Sequence, residues 1–102
     1  MDRRVIWLPS AVDDLDGIAA NISPDSASYA SAVVQRVLSA AADLRQFSDR
    51  GRALPEWDDN SVREIYVHNW RLIYQVTSHQ VIVLTVIHGA RVLPASLRDR
   101  IP

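Results

Sequence analysis

The sequence contains no cysteine and no lysine, a single methionine, a single phenylalanine and three glycines. Without cysteine there is no disulfide framework and no thiolate metal site. Without lysine, all 11 basic residues are arginine. Arginine suits forked contacts with phosphate and carboxylate, although genomic base composition produces the same bias. No charge of one sign dominates either: 12 acidic residues offset the arginines, for a net charge of -1. That weakly opposes a nucleic-acid-binding role, which needs a clear cationic footprint. No apolar run approaches the length of a membrane span. Met1-Asp2-Arg3-Arg4 is not followed by the long apolar segment of a signal peptide, so the expected location is the cytoplasm. Internal repeats and low-complexity segments are also missing.

What remains is a chain of 102 residues, 48% hydrophobic, with the length of one domain, 1–102. A domain of this size buries a small core, so a partner that covers apolar surface can add to its stability.

The stretch from Val62 to Leu93 organises the chain. Three runs rich in β-branched and aromatic residues are separated by the polar breaks His68-Asn69 and Ser78-His79-Gln80. This pattern predicts a three-stranded antiparallel meander. Asn69 suits a two-residue hairpin turn because asparagine tolerates positive φ. The third run, Val81 to Ile87, is apolar on both faces and predicts a central strand. It ends at His88-Gly89-Ala90-Arg91.

Ahead of the meander, Arg4 to Leu8 predicts a short first strand. Ser10, with Asp13 three residues on, fits a helix N-cap. Val12, Leu15, Ile18, Ala19 and Ile22 follow at helical spacing. Ser23-Pro24 then fits a second cap, with proline in the first helical position. Ala27, Ala30, Val33, Val34, Val37, Leu38, Ala41 and Leu44 form a longer stripe. A break this short between two helices predicts a helical hairpin. Ser48 to Asn60, punctuated by Gly51 and Pro55, predicts an irregular stretch. Pro94 opens at most a turn or two of helix over Ala95 to Arg100. The order β-α-α-β-β-β is an α+β layout, with the helical hairpin packed on one face of an antiparallel sheet. In the middle strand of the meander, Trp70, Leu72, Tyr74 and Val76 should meet the helices. Arg71, Ile73 and Gln75 then occupy the opposite face, which this layout leaves open to a ligand or partner.

This order and several blocks of residues resemble the RelE/ParE toxins of bacterial type II toxin-antitoxin pairs. The resemblance spans nearly the whole chain. It is carried by Leu8-Pro-Ser-Ala with Asp14-Leu15, by Gly51-Arg52-Ala-Leu-Pro-Glu56, by Val62-Arg63-Glu64-Ile65, by Trp70-Arg71-Leu-Ile-Tyr74-Gln-Val76, and by Val86-Ile-His88-Gly89-Ala-Arg91. It implies a cytoplasmic toxin held inactive by an antitoxin encoded beside it. RelE-like members of the superfamily cut mRNA on the ribosome. ParE-like members carry no nuclease chemistry and are taken to inhibit DNA gyrase.

Metal-independent RNA cleavage needs a base for the 2′-hydroxyl, cations on the phosphate and an acid for the leaving oxygen. The resemblance offers Glu56 as base, Arg71 and Arg91 as cations, and His88 as acid or base. No cofactor or metal is implied. The departures from RelE are several. Its two basic strand residues align with Val62 and Glu64, its late tyrosine aligns with Leu97, and no tyrosine follows Tyr74. These departures favour the ParE-like alternative, an inhibitor that acts by binding. On that reading Arg63, Arg71, Arg91, Trp57 and Arg98 are candidate contacts to target or antitoxin. The plainer alternative also stands: Arg71 and Arg91 pair with Glu56, Glu64 or an antitoxin carboxylate, His88 is a strand-end residue, and Trp57 belongs to core or interface. The antitoxin segment should be disordered alone and fold on binding, giving a hetero-oligomer.

Overall fold

The computed structural model describes residues 2–102. Strand β1 (Arg4–Trp7) leads into helices α1 (Pro9–Ile22) and α2 (Ala27–Asp43). Strands β2 (Arg52–Ala53), β3 (Val62–Val67), β4 (Trp70–Val76) and β5 (Gln80–His88) follow, and a 3-10 helix covers Ala95–Arg100. Among the described residues the sheet has five strands in the order β1-β5-β4-β3-β2. The meander pairs antiparallel throughout, as the alternation predicts. β1, however, pairs in parallel with β5, Val5 opposite Val81 and Trp7 opposite Val83. The helical hairpin carries the chain from β1 across the sheet to its far edge. The strands then step back one by one until β5 lies beside β1. The stretch expected to be wholly irregular also supplies β2, a two-residue edge strand on β3.

The turn and cap chemistry departs from expectation in three places. In the β3–β4 hairpin the positive φ falls on His68, at 52°, and not on Asn69. Histidine shares asparagine's tolerance of this region, and positive φ at the first turn position alone fits a type II′ geometry. Helix α1 begins at Pro9 in its first turn, with Leu8 as N-cap and no side-chain cap. Proline's fixed φ therefore starts the helix one residue before Ser10. Helix α2 is capped by Ser26, whose Oγ accepts from the Tyr29 amide at 3.1 Å. Ser23 is instead engaged in closing α1, its amide donating to the Ala19 carbonyl at 2.9 Å.

Both faces of the sheet are covered. The helical face packs Leu15, Val33, Val37 and Leu44 against Trp70, Leu72, Tyr74, Val81, Val83 and Val86. This matches the alternation predicted for β4. Its opposite face was expected to be bare, and that expectation is wrong. Val62, Ile73, Ile82 and Leu84 pack there with Leu54 and Leu97, flanked by Trp57, Leu93 and Ile101. The loop before β3 and the C-terminal segment both return across this face and bring apolar side chains with them. A register shift at Ile73/Tyr74 supports the double packing. Ile73 pairs with Thr85 and Tyr74 with Val83, so Leu84 is the extra residue of a bulge. Leu84 joins the second core while Val83 and Val86 keep to the first. No helix among the described residues is long and apolar enough to cross a membrane.

Candidate functional site

The two-residue period of β4 places Arg71 and Ile73 on the face away from the helices. In β3 the same period places Val62 and Glu64 on that face. The hairpin register sets Glu64 opposite Ile73 and Tyr66 opposite Arg71, so Glu64 and Arg71 are diagonal neighbours. They meet directly. Arg71 Nε donates to Glu64 Oε1 at 2.6 Å, and Nη2 lies 2.5 Å from the same oxygen. The other edge of the guanidinium grips Glu56 in a two-pronged contact: Nη1 donates to Oε2 at 2.8 Å and Nη2 to Oε1 at 2.9 Å. Arg52 Nε closes the network on Glu64 Oε2 at 2.6 Å. Arg71 is 5% exposed and Glu64 1%. Arg71 thus faces away from the helices as expected, but it is enclosed and doubly paired and does not look out from open surface.

The electrostatics follow from these contacts. Hydrogen bonding to Arg71 holds the Glu56 carboxyl below its ordinary range, against a smaller opposing effect of burial. In return, chiefly through Glu56, the Arg71 guanidinium holds its proton more tightly than usual.

The loop that carries Glu56 is fixed from below. The Tyr74 hydroxyl donates to the Ser48 carbonyl and accepts from the Gly51 amide, each at 3.0 Å. Burial pushes the Tyr74 hydroxyl's pKa up. A Cβ at Gly51 would lie 2.5 Å from both the Glu64 carbonyl oxygen and the Tyr74 hydroxyl. Only glycine permits this close approach. Beyond it, the chain runs through Leu54, 1% exposed, and presents Glu56 to Arg71.

Glu56, Trp57, Arg71, Arg91 and Arg98 line one groove of about 550 Å³. The Arg98 guanidinium lies over the Trp57 ring, 4.9 Å from its centroid. His88 does not line this groove. It lines a neighbouring one between α1 and β5, of about 480 Å³, whose wall includes Asp14, Arg91 and Arg100. There His88 stands edge-on to Trp70, and its Nδ1 accepts from the Ala90 amide at 3.1 Å. Arg63 sits apart from both, donating to the Gly51 carbonyl at 2.8 Å. Of the nuclease set, Glu56, Arg71 and Arg91 line one groove, and His88 lines the adjoining one, with Arg91 on the wall of both. No group of three His, Asp or Glu among the described residues is placed to hold a metal ion.

Sequence reasoning named Glu56 and Glu64 as partners of Arg71 in its plainer alternative, and the structure pairs Arg71 with both; what it did not supply is the enclosure of Glu64, 1% exposed. The signal for the pairing was available. Two residues between β3 and β4 fix the pairing, and the pairing puts Glu64 and Arg71 on one face. A second contact carried no such signal: Asp14 accepts from Thr85 Oγ1 and from Arg100 Nη1, each at 2.6 Å, tying the C-terminal segment to α1. These residues lie far apart in the chain and belong to no common pattern.

The chain matches the family model described as ParE toxin of type II toxin-antitoxin system, parDE, over residues 5–93. It belongs to the ParE toxin family. It is therefore a toxin of the type II toxin-antitoxin class, within the RelE/ParE superfamily. Among curated proteins, none matches the chain in sequence. Solved structures share the fold of this ParE-family chain, three of them as follows. The chromosomal ParDE toxin-antitoxin system of P. aeruginosa aligns with a TM-score of 0.70 at 19% identity, covering 84% of this chain and 95% of that one. The RelBE2 toxin-antitoxin complex of Mycobacterium tuberculosis aligns at 0.64 and 21% identity, covering 86% and 99%. A double mutant of the E. coli toxin RelE in the free state aligns at 0.63 and 16% identity, covering 98% and 94%.

Proposed function

We propose that this ParE-family toxin acts in the cytoplasm and inhibits growth by binding its target, DNA gyrase, without cutting RNA. A cognate antitoxin neutralises it by folding onto it, giving a hetero-oligomer. The observation that carries the non-catalytic reading is the state of Arg71. Its Nε, Nη1 and Nη2 all donate to carboxylates. A phosphorane-like transition state needs cationic donors aimed at the oxygens where charge develops. Here the central cation is already neutralised on both edges, and one of its partners is buried. The candidate acid or base, His88, lines the adjoining groove and makes no hydrogen bond to Glu56 or Arg71 among the described residues. Removing Glu56 alone would still leave Glu64 on the Nε edge. The similarity to solved complexes of ParDE and RelBE2 supports an antitoxin partner.

The endonuclease alternative is favoured by one observation: Glu56, Arg71 and Arg91 do converge on a single groove. Two assays on purified toxin, freed of antitoxin, separate the readings. Gyrase supercoiling should be inhibited, and mRNA on translating ribosomes should stay intact. Ribosome-dependent cleavage that disappears in both Arg71→Ala and Arg91→Ala would replace the binding reading with the nuclease one.

A further inference from the structure

The groove beside Arg71 is cationic and apolar at once. Arg91 and Arg98 stand at its walls, are exposed, and make no ion pair among the described residues. Glu56 is the sole carboxylate on its lining. The two kinds of partner on Arg71 differ sharply. Glu64 is fully enclosed, whereas the Glu56 side chain is 40% exposed and sits at the groove. The inner carboxylate is structural, then, and the outer one is exchangeable. When Glu56 leaves, its own oxygens rehydrate, and the incoming carboxylate must replace the two hydrogen bonds that the buried guanidinium loses. What Glu56 would leave behind is the planar Nη1–Nη2 fork of Arg71, already shaped to a carboxylate. The apolar part of the wall is equally distinctive. Trp57 lies under Arg98, and Val92 is 92% exposed.

We propose that this groove is a docking site for an acidic, apolar peptide segment, and that Glu56 is a built-in competitor for it. On docking, a carboxylate of the segment takes the fork that Glu56 now fills. Glu56 swings to solvent, and an apolar side chain of the segment covers Val92 and Trp57. Neighbouring carboxylates meet Arg91 and Arg98. A peptide is favoured over a nucleic acid by three observations: the fork already holds a carboxylate, the wall carries exposed aliphatic surface, and the chain has a net charge of -1. The inference rests on the toxin reading only in naming the antitoxin as the natural source of such a segment.

The test uses the full-length toxin and a fluorescent synthetic peptide of alternating Glu and Leu. Fluorescence anisotropy compares it with the same peptide carrying Gln for Glu, and with a single-stranded RNA of equal charge. The Glu peptide should bind, more weakly as salt is raised, and the Gln peptide should not. Glu56→Gln removes the competing charge and should tighten binding roughly tenfold. Glu56→Asp, whose shorter side chain draws back from the fork, should tighten it less. Arg91→Gln and Arg98→Gln, both on exposed residues, should each weaken binding several-fold. Unfolding curves of each variant confirm that the fold is kept. Equal binding of the Glu and Gln peptides, preference for the RNA, or no tightening in either folded Glu56 variant would overturn the proposal. Gyrase inhibition is scored in a separate assay, so failure here and failure of the target assignment are distinguishable.

Discussion

Replacing Arg71 with methionine tests the electrostatic centre of the fold. Methionine keeps much of the side chain's length and removes its charge. Two consequences follow, of unequal size. The Glu64 carboxylate, whose side chain is fully enclosed, loses the donors at 2.6 Å and 2.5 Å. Breaking a buried pair by deleting one partner costs about 3–5 kcal/mol, because the remaining charge is left uncompensated. Glu64 is not entirely abandoned, since Arg52 still donates to its other oxygen at 2.6 Å. The Arg52 side chain is 65% exposed, however, so that contact is well screened. We therefore expect a loss near the lower bound, about 3 kcal/mol. The release of Glu56 adds little, because it is already half in solvent.

For a domain near 100 residues, each kcal/mol shifts the melting temperature by roughly 4–8 °C. The expected fall is thus roughly 12–24 °C. Urea unfolding followed by circular dichroism should show a lower midpoint with an unchanged slope. The companion variant decides the mechanism. Adding Glu64→Leu to Arg71→Met replaces the buried pair with apolar groups, and should bring stability back to within about 1 kcal/mol of the original protein. A single-mutant loss below about 1 kcal/mol, or a double mutant no more stable than the sum of the single effects predicts, would refute the reasoning.

Other perturbations probe separate contacts. Tyr74→Phe deletes the donor to the Ser48 carbonyl and leaves the Gly51 amide without its acceptor; the expected cost is about 1–3 kcal/mol, and an unchanged urea midpoint would contradict it. Gly51→Ala drives a methyl into the Glu64 carbonyl oxygen at 2.5 Å, a backbone contact that cannot swing aside, and should destabilise by at least about 1–3 kcal/mol in the same assay. The Glu56 carboxyl is held below its ordinary value of 4.5, first by its hydrogen bonds to Arg71. Its contribution is therefore present above that value and is lost as pH falls through the depressed one. Stability measured from pH 6 downward should decline in the original protein and decline less in Glu56→Gln. Some decline should persist in that variant, because Asp59, lowered by its hydrogen bonds from Ser61, follows the same sign; identical pH profiles would remove the Glu56 pairing. Arg100→Ala cuts the contacts to Asp14 and to the Leu84 carbonyl, at 2.6 and 2.9 Å. It should speed amide exchange at Leu97 and Ile101, and unchanged exchange there would mean that Leu97 packing alone holds the segment.

How far the sequence carries the fold depends on whether a residue's place is set by a local period. Trp70, Leu72 and Tyr74 alternate with Arg71 and Ile73, and two-residue periodicity assigns both sets to the correct faces. The same holds for the buried run in β5 and for Ala30, Val33, Val37 and Ala41 of the α2 stripe, whereas Ala27 and Leu38 of that stripe stay exposed. Leu54, Trp57, Leu97 and Ile101 obey no period. They lie in a loop, a 3-10 helix and a tail, and become core only because those segments return over the sheet. A reading built on periodicity therefore leaves that face empty. Caps fail for a related reason. Ser10, Ser23 and Ser26 are alike as residue types, and which of them caps depends on where the chain has just ended the previous helix.

The site repeats this division. Arg71 and Glu64 were placeable together, since a two-residue hairpin fixes their register. Glu56 was recognisable by resemblance as a base, but its grip on Arg71 depends on how the loop is seated by Tyr74 and Gly51. That seating changes the chemical meaning of the residue. Beside an unpaired arginine, Glu56 would be a free base next to a free cation, as cleavage chemistry requires. Paired fork to fork beside a second, buried carboxylate, base and cation quench one another. On the binding reading proposed above, the residue that separates the two is Glu64, the buried carboxylate of β3, at a position where the resemblance to RelE implies a basic side chain.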